Sequence, residues 1–318
     1  MGIAFTFPGQ GSQVVGMGKE VADAFPAARA VFDEVDEALS EKLSQTIWDG
    51  PADRLTLTEN TQPALMAVSC AIMRVLETEK GVRITTARFV AGHSLGEYSA
   101  LAASGALSIA DTARLLRLRG KAMQEAVPVG EGAMAALLGV DVEAAAKIAA
   151  EASSVTGLVC GVANDNAPGQ VVISGAKAAV EKAMELSKDY GARRAIPLPV
   201  SAPFHCELMR PAAERMASAL AEVSIKAPVI PLVANVLAEA ISDPEAIRRH
   251  LVEQVTGTVR WRESVSYMAD QGVRMLYEVG SGRVLTGLAK RIDERLESRA
   301  IGTLAEIEIA GQHLTESV

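Results

Sequence analysis

The sequence predicts an α/β fold in which a small ferredoxin-like unit is inserted into a larger body with a mostly parallel sheet. Two observations lead to this prediction. Short apolar runs alternate with helical patterns in the first and last parts of the chain, and such alternation is typical of a parallel sheet covered by helices. Residues 133–200 instead follow the order strand, helix, strand, strand, helix, strand, which is the ferredoxin-like order.

The larger body begins with a short apolar run at residues 2–7, which ends at a Pro-Gly pair and is predicted to be a buried strand. A second strand at residues 88–91 leads directly into a helix at 97–104. The tail after Ala300 shows no clear pattern. The other predicted elements are helices at 63–76 and 109–126 and short strands at 229–234 and 275–279.

The inserted unit follows a glycine-rich segment at residues 129–132 and precedes a segment that contains several prolines. We therefore expect a small subdomain at 128–200, a large subdomain made of 1–127 and 201–300, and a C-terminal tail at 301–318. Within the small unit, strands are predicted at 133–140, 158–163, 171–174 and 193–200, and helices at 141–152 and 176–190.

The composition limits the classes of function. The 318 residues carry a formal net charge of −8, which disfavours a general nucleic-acid binder. Three widely spaced cysteines without a CxxC pair, together with only four histidines, disfavour a disulfide framework and a zinc site. Neither a signal-peptide pattern nor an apolar run long enough to span a bilayer is visible. We expect a cytoplasmic monomer that holds no metal and binds neither nucleic acid nor membrane.

The segment Gly92-His93-Ser94-Leu95-Gly96 is a G-x-S-x-G sequence between a predicted strand and a predicted helix. A serine on such a sharp turn needs flanking glycines, because neighbouring Cβ atoms have no room. The following helix directs its free N–H groups towards the turn, so the N–H of Leu95 can bind a developing oxyanion. This context favours Ser94 as a nucleophile over an ordinary serine in a glycine-rich turn.

A serine nucleophile needs a base, and the chain has four histidines. His93 adjoins Ser94 on a tight turn where neighbouring side chains diverge, His250 lies in a charged helix, and His313 lies in the tail. His205 falls in a strand-to-helix loop, where α/β proteins place their chemistry. Elimination therefore favours His205, with a purely structural histidine as an equal alternative.

Arg119 is a charge in an apolar position. When the predicted helix at 109–126 is projected at 100° per residue, Arg119 lies near the middle of the apolar arc. A buried guanidinium is costly unless it is paired, and it cannot lose its proton. Two partners are possible: an internal carboxylate, which is the commoner case, or the carboxylate of a substrate held by a bidentate clamp.

A glycine-rich loop at residues 7–13 follows the first predicted strand. Its spacing does not match a dinucleotide fingerprint, because Val14 occupies the third glycine position, and it does not match a phosphate-binding P-loop. A loop with free N–H groups at a strand end can still hold an anion, and Gln10 could supply one of these groups. A plain tight turn explains the segment equally well.

Taken together, these segments resemble the malonyl-CoA:acyl carrier protein transacylases, the acyltransferases that load the carrier protein in type II fatty-acid synthesis. The resemblance extends over roughly residues 3–295. It is weak around residues 39–47 and after Ala300. The matching motifs are FPGQGSQ (7–13), TQPAL (61–65), AGHSLGEYSAL (91–101), RG-x-x-MQ (119–124), GAMAALLG (132–139), NAPGQVVISG (166–175), PFH (203–205) and YEVGSG-x-VLTGL (277–288).

The resemblance implies an α/β-hydrolase-like large subdomain and assigns roles by position. Ser94 matches the nucleophile and His205 matches its base. Arg119 matches the arginine that binds the malonyl carboxylate, and Gln254 matches a glutamine whose backbone oxygen orients the histidine. The family therefore implies a Ser–His dyad without the usual acid.

Further positions follow from the same resemblance. The backbone N–H groups of Gln10 and Leu95 match the oxyanion hole. Asn164 and Asn166 match a pair of asparagines near the site. Phe204 stands where some members have a small residue, and in related polyketide acyltransferases a phenylalanine there accompanies selection of malonyl over methylmalonyl groups.

The resemblance also implies the partners. The substrates would be a coenzyme A thioester, malonyl-CoA, and the phosphopantetheine thiol of an acyl carrier protein, and no cofactor would be required. Because the protein is acidic overall, an acidic carrier needs a local basic patch. We expect that patch to comprise Arg193, Arg194, Lys290 and Arg291.

Three alternatives remain at this point. A serine hydrolase or thioesterase shares G-x-S-x-G, but it would usually place an acidic residue between serine and histidine in the chain, and it leaves Arg119 unexplained. The carrier could serve polyketide rather than fatty-acid synthesis. A protein that only binds a carrier, without turnover, has no need of Ser94 and His205.

Overall fold

The computed structural model describes residues 2–200 and 202–316, and in this part of the chain ten strands form two separate sheets. The six-stranded sheet belongs to the larger body and the four-stranded sheet to the insert. The strands are β1 (Gly2–Phe7), β2 (Phe89–Gly92), β3 (Gly132–Leu138), β4 (Cys160–Ala167), β5 (Gln170–Ala176), β6 (Arg194–Pro197), β7 (Leu232–Val233), β8 (Ala240–Ile241), β9 (Val273–Val279) and β10 (Glu297–Ile301).

Helices cover both faces of the larger sheet and one face of the smaller one. Among the described residues, no helix is both long and apolar enough to cross a membrane. The helices are α1 (Lys19–Ala24), α2 (Pro26–Leu39), α3 (Leu43–Asp49), α4 (Ala52–Thr56), α5 (Thr58–Lys80), α6 (Gly96–Ala103), α7 (Ile109–Glu125), α8 (Val142–Thr156), α9 (Lys177–Leu186), α10 (Arg210–Ala221), α11 (Pro244–Thr256), α12 (Trp261–Asp270), α13 (Val284–Ile292) and α14 (Leu304–Glu316).

The larger sheet has the strand order β10-β9-β1-β2-β7-β8. All its pairings are parallel except that of β7 with β8. The central strands β1, β2 and β9 are mostly apolar and almost fully buried, because helices cover them on both faces. The predicted mostly parallel α/β sheet is therefore confirmed, although the strand expected at 229–234 is only two residues long.

The smaller sheet has the order β4-β5-β3-β6 and is antiparallel throughout. Its apolar face packs against α8 and α9 in a core of its own. The ferredoxin-like prediction is confirmed. Strand β4 runs further than expected, to Ala167, because Pro168 and Gly169 alone connect it to β5, with Gly169 at a φ of +70°.

Strand β4 also contacts the larger body. The backbone N–H of Asp165 donates to Val259 O at 3.0 Å. The buried Asp165 carboxylate forms a salt bridge of 2.8 Å with Arg262 on α12. These bonds fix the edge of the smaller sheet next to the loop before α12.

The tail after Ala300 contains a helix, although its sequence showed no clear pattern. Beyond β10, the chain forms α14, which buries Ile307, Ala310 and Leu314 and packs against α5. A capping box marks its start, because Thr303 N–H donates to Glu306 Oε2 and Glu306 N–H donates to Thr303 Oγ1. The part of the tail prediction that falls on residues 317–318 lies outside the described residues.

Candidate active site

Ser94 lies on the turn between β2 and α6, with a φ of +52° that side chains rarely adopt. The flanking glycines are required by close approach. A Cβ on Gly92 would lie 1.9 Å from Gly96 O, and one on Gly96 would lie 2.3 Å from Phe7 O. The Ser94 N–H donates to the Asn235 side-chain oxygen at 2.8 Å. The turn thus holds the serine rigidly at the carboxyl end of the sheet.

His205 approaches Ser94 from the loop after the small subdomain. The distance from Ser94 Oγ to His205 Nε2 is 2.7 Å, and that from His205 Nδ1 to Gln254 O is 2.8 Å. Because a carbonyl oxygen only accepts, Nδ1 carries the hydrogen, and the Nε2 lone pair faces the serine hydroxyl. His205 also has a positive φ, of +57°.

The imidazole of His205 is neutral at physiological pH. Burial is the main reason, and the nearby Arg119 charge adds to it, so that the pKa of His205 is lowered to about 3. A neutral imidazole is the form that can accept a proton from a serine.

Arg119 is 1% exposed, and it points at Ser94. Its Nη1 donates to Gln62 Oε1 at 2.9 Å, and its Nη2 donates to Gln254 Oε1 at 2.8 Å and to Ser94 Oγ at 3.1 Å. In residues 2–200 and 202–316, the hydrogen-bond partners of Arg119 are neutral, no acidic side chain forms a salt bridge with it, and its Nε has no hydrogen-bond partner. The internal ion pair considered for this arginine is therefore wrong for the described residues. A buried cation without an anion in direct contact fits an anionic ligand.

A close helix contact lets Arg119 reach Gln62. A Cβ on Gly120 would lie 2.5 Å from Thr58 O, so glycine permits α7 to pack tightly against the start of α5. Helix α5 begins five residues before the helix predicted at 63–76, and Pro63 lies inside it. Gln62 therefore lies on the helix rather than in a loop.

The glycine-rich loop after β1 lies against the Ser94 turn. The His93 N–H donates to Phe7 O at 3.0 Å, and a Cβ on Gly9 would lie 2.8 Å from His93 O. Gln10 follows on the same loop, and its side chain donates to Thr58 Oγ1 at 3.3 Å. Gln10 and Leu95 both line the cavity at Ser94.

That cavity has a volume of about 520 Å³ and receives walls from both subdomains. The large body contributes Ser94, Arg119 and the buried Phe204, while the small subdomain contributes Met134 and the strand residue Asn164. Its size falls in the range of about 300–1,000 Å³ that is typical of small-molecule sites.

The two asparagines of β4 occupy different places. Asn164 lines the cavity, whereas Asn166 Oδ1 lies 2.8 Å from His93 Nε2. Burial lowers the pKa of His93, so this histidine is a neutral donor to Asn166. Asn166 therefore reaches the Ser94 turn only through His93.

Residues 4–302 match the model of the acyl transferase domain family. The chain belongs to this family. The malonyl CoA-acyl carrier protein transacylase of Bacillus subtilis is 49% identical to this acyl transferase over 314 residues, which cover 99% of this chain and 98% of the relative. The resemblance inferred from the sequence is therefore confirmed.

Solved acyl transferase structures agree. The acyl-carrier-protein S-malonyltransferase of Bartonella henselae is 56% identical, with a TM-score of 0.95 over 99% of this chain and all of the other. A type II PKS acyl-carrier protein in complex with its malonyl-transacylase gives 44% identity and a TM-score of 0.94, covering 98% of this chain and 100% of the other.

The predicted docking residues of this acyl transferase are exposed and lie away from the Ser94 cavity. Arg291 Nη1 donates to Gln170 Oε1 at 2.8 Å, which connects α13 to the smaller sheet. Gln170 pairs with Leu138, which in turn pairs with Arg194. Strand β3 thus separates β5, which Arg291 contacts, from β6, which carries Arg194.

Sequence reasoning missed three polar residues of the acyl transferase site. Gln62 lies inside the TQPAL motif, and Asn235 follows a short apolar run at a strand end, so both carried a signal. Glu97 carried none, since the first turn of a helix is an ordinary place for an acid. Its Oε2 accepts from Gln254 Nε2 at 2.7 Å.

Proposed function

We propose that this acyl transferase moves the malonyl group from malonyl-CoA to the phosphopantetheine thiol of an acyl carrier protein, through a malonyl-serine intermediate. The observation that carries the proposal is the buried Arg119, which forms no direct salt bridge among the described residues and whose Nη2 lies 3.1 Å from Ser94 Oγ. The names of close relatives, such as the transacylase of Bacillus subtilis, support the same substrate class.

In the first half-reaction, His205 Nε2 takes the proton of Ser94 as Oγ attacks the thioester carbonyl. The backbone N–H groups of Gln10 and Leu95 bind the oxyanion of the tetrahedral intermediate. The carbon–sulfur bond then breaks, and His205 returns the proton to the departing coenzyme A thiol. The malonyl ester of Ser94 remains.

In the second half-reaction, the carrier thiol gives its proton to His205 and attacks the ester carbonyl. The carbon–oxygen bond breaks, and Ser94 regains its proton. Throughout, Arg119 binds the malonyl carboxylate with its two terminal nitrogens, so the acyl carbon stays at the serine. Side chains and backbone groups perform every step, so the proposed reaction needs no cofactor and no metal.

Other site residues receive supporting roles in this proposal. Phe204 limits substituents on the α-carbon of the acyl group, and Asn164 contacts the substrate from the cavity wall. Asn166 holds His93 and thereby supports the serine turn. We further propose the subdomain division at residues 128 and 200, and a cytoplasmic monomer, in keeping with three free cysteines.

A hydrolase is the less favoured candidate. Its histidine would usually be oriented by an acid, whereas His205 Nδ1 meets the Gln254 carbonyl. A polyketide carrier is an alternative acceptor, because a type II PKS carrier binds the related transacylase structure.

The test is a carrier-acylation assay with malonyl-, methylmalonyl-, acetyl- and succinyl-CoA, followed by intact-mass analysis. Fatty-acid and type II polyketide carriers serve as acceptors. We expect malonyl-CoA to give the fastest loading of the carrier and little free malonate. Release of free acid without carrier loading would instead identify a hydrolase, and preference for acetyl-CoA would refute the assigned substrate.

The docking patch gives a separate prediction. Lys290→Glu combined with Arg291→Glu should raise the KM for the carrier by about tenfold at low salt, because opposite charges no longer meet. Formation of the malonyl-enzyme should be unchanged. The matched control is Arg114→Glu with Lys121→Glu, two exposed cations on α7. Equal carrier KM values in the patch variant and the wild type would show that the carrier docks elsewhere.

A further inference from the structure

Glu97 is a buried carboxyl group that the proposed reaction leaves unused. It lies on the first turn of α6 and is 1% exposed. Its Oε2 accepts from Gln254 Nε2 at 2.7 Å and from the Asn235 N–H at 3.3 Å. In the described part of the chain, no lysine or arginine forms a salt bridge with it. A buried acid without a cation beside it is costly, so its position requires an explanation.

A single amide group separates this acid from the buried cation. Gln254 Oε1 accepts from Arg119 Nη2 at 2.8 Å, while Gln254 Nε2 donates to Glu97. A guanidinium only donates and a carboxylate only accepts, whereas an amide has one end of each kind. The two charges therefore permit only one orientation of the Gln254 side chain.

The same glutamine touches the reacting groups. Its backbone oxygen accepts from His205 Nδ1, and its Nε2 also donates to Ser94 O at 3.0 Å. A rotation of the Gln254 amide would break its hydrogen bonds to Arg119 and to the serine turn. It would also disturb Gln254 itself, whose backbone oxygen orients His205. Glu97 is the strongest acceptor that holds the Nε2 end in place.

An acid in the first turn of a helix is also favoured by the helix dipole alone. Among the described residues, the side-chain hydrogen bonds of Glu97 are not made to the N–H groups of its own helix. They are made to Gln254 on α11 and to the loop after β7. Burial raises the pKa of Glu97 to about 7, while the hydrogen bonds from Gln254 and Asn235 and the charge of Arg119 act in the opposite direction. Tyr98, also buried, is a further titratable neighbour.

We propose that Glu97 is a positioning residue for malonyl transfer, which balances the charge of Arg119 through the Gln254 amide while the site is empty. The malonyl carboxylate then becomes the direct partner of Arg119. The inference rests on the proposed function, and it assigns two separable properties to Glu97: a hydrogen-bond acceptor for Gln254 and a negative charge near Arg119.

Two variants separate these properties. Glu97→Leu removes both properties, so kcat for malonyl transfer should fall at least about tenfold. The ratio of the malonyl to the acetyl transfer rate, called the malonyl-to-acetyl ratio, should fall at least about threefold. Glu97→Gln can still present an oxygen to Gln254, so kcat should recover to within about threefold of the wild type. Its KM for malonyl-CoA should fall at least about twofold, because Arg119 has lost its internal counter-charge.

The matched control is Glu278→Gln. Glu278 is also 1% exposed, but it accepts from the N–H groups of Leu285 and Thr286 on α13, away from the cavity. Its malonyl-to-acetyl ratio should equal that of the wild type. Melting temperatures are measured for all variants. If Glu97→Leu does not fold, the KM of Glu97→Gln for malonyl-CoA alone tests the proposal.

The proposal is overturned if Glu97→Gln leaves the KM for malonyl-CoA unchanged, or if folded Glu97→Leu retains the wild-type kcat and ratio. The rate at which a fluorophosphonate labels Ser94 gives a second readout that does not depend on the acyl substrate. If the wild type labels rapidly but does not transfer malonyl groups, the proposed function fails. Slower labelling of Glu97→Leu would even then support the positioning role, and equal labelling would refute it.

Discussion

Replacement of Ser94 by alanine is expected to abolish acyl transfer, with kcat falling by about 10⁴–10⁶-fold. The variant loses the only atom that can form the ester, while the positive φ at this position is as acceptable to alanine as to serine. Intact-mass analysis after mixing with malonyl-CoA should show the malonyl adduct on the wild type and none on Ser94→Ala.

Ser99→Ala is the matched control for this experiment. Ser99 lies on α6, the helix that follows the Ser94 turn. It is 1% exposed, and its Oγ has no hydrogen-bond partner among the described residues. Its loss should leave acylation unchanged. A malonyl adduct that persists on Ser94→Ala would place the nucleophile elsewhere.

Arg119→Ala should exchange malonyl for acetyl as the preferred acyl group. Charge-assisted hydrogen bonds contribute about 1.5–3 kcal/mol each, so two bonds to the substrate carboxylate correspond to a loss of about 10²–10⁴-fold in kcat/KM for malonyl-CoA. Acetyl-CoA has no carboxylate and should be transferred at least as fast as before. The measurement is carrier loading from each substrate in parallel.

The ratio of the two activities is the decisive quantity. Arg119→Ala also leaves the side-chain oxygens of Gln62 and Gln254 without their donor, which should lower stability. A smaller folded fraction reduces both activities equally and cancels in the ratio. Arg114→Ala, on an exposed part of the same helix, provides the control. An unchanged ratio in Arg119→Ala would show that the arginine does not select the substrate.

The local geometry of the serine turn was predictable because the sequence encodes it within five residues. The glycine requirement arises from contacts of Gly92 with Gly96, and of Gly96 with the adjacent strand. The pattern of β-strands and helices was likewise predictable, because apolar periodicity reports burial directly. Both subdomain folds follow from such local signals.

The partners of Arg119 were not predictable in the same way. Helical projection located the arginine on the buried face, but Gln62 and Gln254 lie 57 and 135 residues away in the sequence. Only the resemblance singled out Gln254 and raised His205 above a structural histidine. The structure brings these groups together, and their catalytic roles remain predictions.

The C-terminal helix was missed although its signals were present. Thr303 and Glu306 form a capping box, and Ile307, Ala310 and Leu314 recur on one helical face. No helix was predicted for the tail because its apolar pattern is not clear from the sequence. A segment whose sequence differs from that of its relatives can still contain the usual sequence signals of a helix.

The carbonyl of Gln254 stands where many serine enzymes place an acid, and this difference bears on the strength of the catalytic base. A carbonyl carries only a partial charge, so it stabilises a protonated histidine less than a carboxylate does. The incoming carrier thiol demands little of the base, because a thiol with an ordinary pKa of about 8.5 loses its proton far more readily than water, whose pKa is about 15.7. A weak base of this kind would activate a thiol more effectively than water, so it suits transfer of the acyl group to a thiol better than hydrolysis.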